Sequence, residues 1–346
     1  MVKILSPISR RDEVEEVVQA GADELYCGIL TPDWRERYSV VASPNRREED
    51  NPITHTSPHF NSFSELKEAL SVAHSFSVPV HVTLNEHYFT FKQYPFLFNY
   101  VDNALDVGID AFILSDVAFL LSFKERYPKV NVHVGTGGTT FNSETAKFYQ
   151  DLGVKRIILP RHLDLKEIRA IVRNTPEMEF EAFILNSRCA NVDGFCTFQH
   201  GLADFIPEKG KKRPYENACM LPYNISMHIE NLGEEEVETV IKEKISWERQ
   251  HIWSGLHIDD RPCGACALYE FEEMGIYGVK IVGRENLKSK KVKDTKFLHT
   301  LIELLEEKGL NKMAFREKAR QLYRDTYQWP CIIFKCYYPS VLIEPC

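Results

Sequence analysis

The 346-residue chain has no apolar run of the ~18 residues or more that a membrane-crossing helix needs. Its opening, Met1-Val2-Lys3-Ile4-Leu5-Ser6-Pro7, lacks a basic stretch followed by a long apolar one. A secretory leader is therefore not expected there, and the expected address is the cytoplasm. Positive charge is in short supply: Lys and Arg number 42 against 50 Asp and Glu, a net charge of −8. That balance argues against a generic nucleic-acid binder, and against DNA as a partner, while leaving room for a local basic groove. Disorder is excluded by composition, with 44% hydrophobic and 27% charged residues. Neither an HExxH helix nor a GxSxG elbow occurs, so the usual metalloprotease and serine-hydrolase signatures are missing. Gly135-Thr136-Gly137-Gly138 follows an apolar run, but Thr140 stands where a dinucleotide fingerprint needs glycine.

What is present is an alternation. Short β-branched runs at 3–6, 24–28, 80–84, 111–114, 132–134, 156–159, 180–185 and 279–282 read as strands buried on both faces. Segments 11–19, 64–75, 94–106, 117–126, 143–151 and 164–173 carry apolar residues at helical spacing. Gly21, Gly108, Gly153 and Gly275 sit where helices should stop, and Asn142, Ser143 and Asp164 where they should start. This order predicts an α/β fold, a (β/α)8 TIM-like barrel over 1–295, with a doubly wound open sheet as the alternative. Two interruptions stand out. Residues 33–63 are polar and loop-like. Residues 187–277 are too long for a loop and should carry structure of their own, with paired strands at 221–228 and 251–257. This cysteine-bearing insertion between strands seven and eight is expected over the barrel's C-terminal mouth. Residues 296–346 form a C-terminal extension, with helices at 296–307 and 315–323 and a cysteine-containing tail.

Nine cysteines are many for a chain in a reducing compartment, where metal or redox chemistry is the commoner use. Cys189-x6-Cys196, with Asp193-Gly194 making a turn between them, and Cys219 lie in polar, turn-rich sequence, and Cys263-Gly264-Ala265-Cys266 follows. Buried structural thiols are the alternative, but those favour apolar runs. Only Cys263 and Cys266 have the spacing of a zinc knuckle, and dispersed ligands suit an iron–sulfur cluster better. Cys331-x4-Cys336, with Cys346, forms a second group that with Cys263 or Cys266 would bind a second metal; the alternative is a tail with incidental thiols. Cys27 ends a strand and reads as a packing residue.

In such a barrel the chemistry gathers at the strands' C-terminal ends. Asn85, Thr136, Asn142, Arg161 and Arg284 fall there. Two guanidinium forks at one mouth would clamp a carboxylate or phosphate. Each arginine also reads as an internal ion-pair partner, and Asn142 as a helix cap. His133 reads as a core or barrel-lining residue. The basic runs 209–213 and 288–293 read as solvated loops flanking the mouth.

Several segments together resemble peptidase family U-32, the collagenase-like group. These are Ser6-Pro7, the stretch 20–28 ending Tyr26-Cys27-Gly28, Val82-Thr83-Leu84-Asn85, Leu159-Pro160-Arg161-His162-Leu163 and Lys280-Ile281-Val282-Gly283-Arg284. Cys189-x6-Cys196 followed by Asn217-Ala218-Cys219-Met220-Leu221-Pro222-Tyr223 is similar to its cysteine block. The family name implies proteolysis. Its better-understood relatives imply instead oxygen-independent hydroxylation of tRNA or rRNA bases or of quinone precursors, on a [4Fe–4S] cluster, some with prephenate. The resemblance implies Cys189, Cys196 and Cys219 as three cluster ligands, with Cys263 or Cys266 as the fourth. The expected partners are an anionic or aromatic small molecule or RNA, and a homologous protein. Three functions follow: an iron–sulfur hydroxylase, a peptidase, or a non-catalytic cluster-bearing subunit paired with a homologue.

Overall fold

The computed structural model describes residues 1–38, 43–46, 56–186, 189, 192–195, 262–307 and 309–343. Eight parallel strands close in sequence order, with β1 paired to both β2 and β8. They are β1 Lys3–Pro7, β2 Glu24–Cys27, β3 Val80–Leu84, β4 Ala111–Leu114, β5 Asn131–Val134, β6 Arg156–Ile158, β7 Glu179–Leu185 and β8 Gly278–Ile281. The closed barrel stands and the open sheet is overturned.

The helices are α1 Val14–Gln19, α2 Pro32–Arg37, α3 Phe63–Ser75, α4 Tyr94–Asp106, α5 Val117–Arg126, α6 Ser143–Asp151, α7 Leu165–Asn174, α8 Leu268–Met274, α9 Lys288–Leu305, α10 Lys312–Tyr327 and α11 Ser340–Ile343. Their starts are chemically marked. Ser62, Asp116, Asn142 and Asp164 each accept first-turn backbone N–H groups, and Glu167 completes a capping box with Asp164. In α7, Leu165, Ile168 and Ile171 recur at helical spacing and are buried against the barrel. Gly275 ends α8 at φ +77° with open space around an added Cβ, so conformation alone asks for glycine there. Gly21, at φ +104°, also presses on His299, whose Cγ lies 2.3 Å from where a Cβ would stand.

Three expectations need correction. Residues 33–63 are not only loop, because α2 begins at Pro32 and buries Trp34. The basic run 288–293 is not a solvated loop. It opens α9, with Lys291 buried on Glu13 at 2.8 Å and on Ser9 at 3.1 Å. The helix expected at 296–307 thus starts at Lys288, and a boundary between 295 and 296 would cut it. The strands expected at 221–228 and 251–257 and the basic run 209–213 lie outside the described residues.

The barrel interior holds charge as well as the expected aliphatic layers. Arg156 of β6 donates to Glu24 of β2 at 2.5 and 3.1 Å and to Glu179 at 3.0 Å. Lys280 of β8 donates to Glu181 of β7 at 3.2 Å and lies 3.8 Å from the Tyr26 ring centroid. His81 and His133 meet edge to face at 4.7 Å, so His133 is a barrel-lining residue. Period-2 alternation put these side chains inside, and mutual pairing makes their burial tolerable. At the chain's end, the tail runs beside Cys263. The Cys263 N–H donates to Lys335 O at 2.8 Å and the Tyr337 N–H to Cys263 O at 3.0 Å. Among the described residues no helix is long and apolar enough to cross a membrane.

Candidate functional site

The strand that launches the cysteine loop is irregular where it must turn. The register of β7 against β8 shifts between Phe183 and Leu185, and Asn186 then takes φ +65°. Such a bulge re-aims the chain at the rim of a barrel. Asn186 is held there by Val282 O at 3.1 Å, Asp294 at 2.7 Å and Lys290 at 2.8 Å. Cys189 follows within a few residues, half-buried.

The stretch after Cys189 is clamped onto the mouth. Asp193 accepts from the Arg161 backbone N–H at 2.8 Å, from Nε at 3.0 Å and from Nη2 at 2.6 Å. Gly194, at φ +79°, lies so close to the turn after β5 that a Cβ would stand 2.3 Å from Thr139 Cγ2 and 3.0 Å from Thr136 O. Phe195 stacks on Phe141 at 5.5 Å. The electrostatics fit the clamp. Burial pushes the Asp193 carboxyl up, but the Arg161 charge and hydrogen bonds outweigh it and hold it at about 2. Burial lowers Arg161, while Asp193 and then Cys189 raise it further, so the guanidinium stays charged. Arg161 therefore adopts the ion-pair alternative, with Asp193 as its partner.

Arg284 reaches across the mouth from β8. It donates to Thr83 Oγ1 at 2.9 Å and to Asn45 O at 2.9 Å, passing the end of β2 so closely that Gly28 has no room for a Cβ. Asn45 belongs to the 43–46 segment of the first interruption, and Arg46 beside it is acted on by the charges of Glu86, Asp193, Arg161 and Cys189. That segment thus fixes Arg284 through Asn45. Asn85 follows β3, and its Oδ1 is buried with no hydrogen-bond partner among the described residues. Ser115 Oγ, Thr140 Oγ1 and Glu86 Oε2 are in the same condition. Thr136 is buried in the turn that seats Gly194. Asn142 caps α6, accepting from the Thr145 N–H at 2.9 Å, which is its structural role.

Cys263 forms an antiparallel bridge with Leu185, and Asn186 donates to Pro262 O at 2.9 Å. It thus sits at the root of the loop that carries Cys189, and its Sγ accepts from the Ala265 N–H at 3.4 Å. Cys266 points elsewhere, its Sγ 4.0 Å from Arg316 O on α10. Cys27 is fully buried, and burial pushes its thiol up to about 12, as suits a packing residue. Cys196, Cys219 and Cys346 lie outside the described residues. Sequence reasoning missed Asn45, Arg46, Ser115, Glu86 and Thr140, and treated Asp193 as a turn residue only. The Asp193-Gly194 pair between two cysteines was the available signal. The 43–46 segment offered none.

These features define a (β/α)8 barrel with a cysteine-bearing loop locked onto the C-terminal end of its strands. The profile of Peptidase family U32 matches residues 9–332, and the chain belongs to that family. It is 26% identical over 223 residues to the tRNA hydroxylation protein P of Escherichia coli (strain K12), covering 64% of this chain and 44% of that protein. It is 26% identical over 224 residues to the 23S rRNA 5-hydroxycytidine C2501 synthase of the same organism, covering 65% of this chain and 30% of that one. An uncharacterized protease of Methanocaldococcus jannaschii is 27% identical over 202 residues, covering 57% and 43%. The matched region spans less than half the length of each of these relatives. Among solved structures, that of a U32 peptidase aligns with TM-score 0.41 and 16% identity over 54% of this chain and 69% of that one.

Proposed function

We propose that this chain takes part in oxygen-independent hydroxylation of an RNA base and carries a [4Fe–4S] cluster on Cys189, Cys196, Cys219 and Cys263. The observation that carries this reading is the clamp of the Cys189 loop. A buried Arg161–Asp193 pair fixes that loop to the mouth, and Cys263 stands at its root on β7. The names of the bacterial relatives matched, a tRNA hydroxylation protein and an rRNA hydroxycytidine synthase, support the reaction class.

Of the four proposed donors, Cys189 and Cys263 lie among the described residues, and their chemistry fits the group. Thiolates suit iron–sulfur chemistry, and the Ala265 N–H donated to Cys263 Sγ is the kind of bond that stabilises negative sulfur. The cluster would supply electron transfer. This chain's own groups would do the rest. Arg161 and Asp193 hold the loop. Asn85, Ser115 and Thr140 offer unmet hydrogen-bonding atoms to a polar ring. Arg284, fixed by Thr83 and Asn45, is the fork assigned to the anionic group of a substrate or of a co-substrate such as prephenate.

The test has two parts. Anaerobically purified protein should contain about four irons and matching sulfide per cluster. RNA from cells lacking the gene should lose a hydroxylated pyrimidine detected by mass spectrometry, and the intact gene should restore it while Cys189→Ser does not. Stoichiometric zinc without sulfide, or an unchanged RNA nucleoside profile, overturns the reading.

A further inference from the structure

The two ends of the cysteine-bearing insertion meet at a neck. The chain leaves β7 at Asn186 and returns at Pro262, and the Asn186 N–H donates to Pro262 O at 2.9 Å. The register shift between Phe183 and Leu185 takes this stretch out of the regular ladder, so its carbonyls need donors from elsewhere. Each of the four finds one. The Gly264 N–H donates to Ile184 O at 2.7 Å, and the Val282 N–H to Leu185 O at 3.1 Å. The Tyr338 hydroxyl donates to Phe183 O at 2.8 Å, and the Tyr337 hydroxyl donates to Asn186 O. The last two donors come from the C-terminal tail.

A second group of residues from the extension holds the Asn186 side chain, whose backbone stands at φ +65°. Its Nδ2 donates to Asp294 at 2.7 Å, and Lys290 Nζ donates to its Oδ1 at 2.8 Å. Tyr327, at the end of α10, donates to the other Asp294 oxygen at 2.8 Å. The tail also brackets Cys263. The Cys263 N–H donates to Lys335 O, and its carbonyl accepts from the Tyr337 N–H. Tyr337 and Tyr338 are buried, and a Cβ on Gly264 would stand 2.8 Å from Tyr338 Cε2, so the packing leaves no slack. One short stretch of tail thus grips the departure point of the Cys189 arm and Cys263 itself.

We propose that Tyr337 and Tyr338, with Asp294 behind Asn186, are positioning residues that set where the two arms of the insertion leave the barrel, and with that the spacing of Cys189 and Cys263. The proposal rests on the reading above in taking those two thiols as ligands of one centre. Cys189 follows Asn186 closely and Cys263 adjoins Pro262, so a change at the neck moves the two thiols relative to each other. Ligands that bind one centre must be held in place by such outer contacts. Removing a tyrosine hydroxyl leaves a buried carbonyl unmet. The neck should then open locally while the barrel stays closed, because the strand pairings do not use the tail.

The first experiment uses metal-free, reduced protein. Tyr337→Phe/Tyr338→Phe keeps both rings and removes both hydroxyls. Tyr127→Phe is the control: its hydroxyl bonds Asp102 and ties the end of α5 to α4. Iodoacetamide labelling is followed cysteine by cysteine with peptide mass spectrometry. Cys263 should label at least roughly tenfold faster in the double variant than in the parent or the control. Cys27, fully buried in the barrel, should keep the parent rate. Equal Cys263 rates overturn the proposal. So does a Cys27 rate that rises in step with that of Cys263, because the tyrosines then support the whole fold rather than the neck. Should the double variant not fold, Tyr338→Phe and Asp294→Asn are labelled separately and judged by the same two rates. In anaerobically purified protein, iron and sulfide per chain should fall in the double variant and hold at the parent level in Tyr127→Phe. Full content in the double variant counts against the proposal. A parent without an iron–sulfur centre fails the hydroxylation reading instead, and the labelling of metal-free protein still decides what the tyrosines do.

Discussion

Arg161 meets Asp193 with both its side chain and its backbone, through Nε at 3.0 Å, Nη2 at 2.6 Å and the main-chain N–H at 2.8 Å. The contact joins the residue just past β6 to the loop launched from β7. Because one carboxylate serves both the guanidinium and a backbone donor, the loop's height above the mouth and its direction are fixed together. Loop closure over the unclamped chain would otherwise leave Cys189 free to sample many positions.

Removing the acid should be worse than removing the pair. Asp193→Ala leaves a buried guanidinium without its carboxylate, and breaking such pairs costs about 3–5 kcal/mol. The double variant Arg161→Met/Asp193→Ala should recover much of that loss. Urea denaturation of parent, single and double variants measures it. A single variant as stable as the parent would show the clamp to be energetically idle.

Gly194→Ala tests placement rather than charge. At φ +79° an alanine is strained, and its Cβ would run into Thr139 Cγ2 and Thr136 O. The loop must lift from the turn after β5. Global stability should fall modestly, while iron and sulfide content should fall sharply. Full cluster content in Gly194→Ala would mean that the loop's seat does not position Cys189.

Arg284→Lys separates a structural from a functional role. Lysine keeps the charge but loses the planar fork that spans Thr83 and Asn45. The content of the proposed cluster, which would depend on the Cys189 loop, should remain near the parent level. Hydroxylated nucleoside in cellular RNA should drop at least roughly tenfold, on the scale of one lost charge-assisted hydrogen-bond geometry. Parent-level modification would make Arg284 scaffolding for the 43–46 segment alone.

The barrel was legible because its code is local. Each strand is a short apolar run, each helix carries a stripe, and Asp164, Asn142 and Gly275 mark ends by chemistry that acts over a few residues. The basic run at 288–293 misled because lysines read as solvent-facing. Lys291 is buried only because Glu13, far away in sequence, meets it. The mouth was half legible. Arg161 and Arg284 were placed by following the strands to their ends, and Cys189 and Cys263 by residue type. What Arg161 does depended on Asp193, and what Arg284 does depended on Asn45. Those partners are set by packing between segments, which no window of sequence contains.

The charged barrel interior predicts that acid destabilises this protein in two steps. Burial pushes His81 down from 6.5 to about 4, against the pull of Glu24, so it is neutral in the folded barrel at pH 7. In the unfolded chain it takes up a proton near its ordinary value. Between pH 6.5 and about 4 the unfolded state therefore binds more protons, and stability rises with pH through that window and is lost as pH falls. The loss from this one group approaches about 3 kcal/mol at the lower end. Burial pushes Glu24 up, but the hydrogen bond from Arg156 and the charges of His81 and Arg156 prevail and hold it at about 2. Its stabilisation is fully present above 4.5 and is lost between 4.5 and about 2. Urea midpoints measured from pH 7 to pH 3 should thus fall gently first and steeply below about pH 4.5. His81→Phe keeps the ring volume beside His133 and cannot protonate, so it should make the upper window shallower, leaving the part carried by buried His133, and should leave the lower window to the share of Glu24's stabilisation that Arg156 supplies. An unchanged slope between pH 6.5 and 4.5 in His81→Phe would move that step to another group.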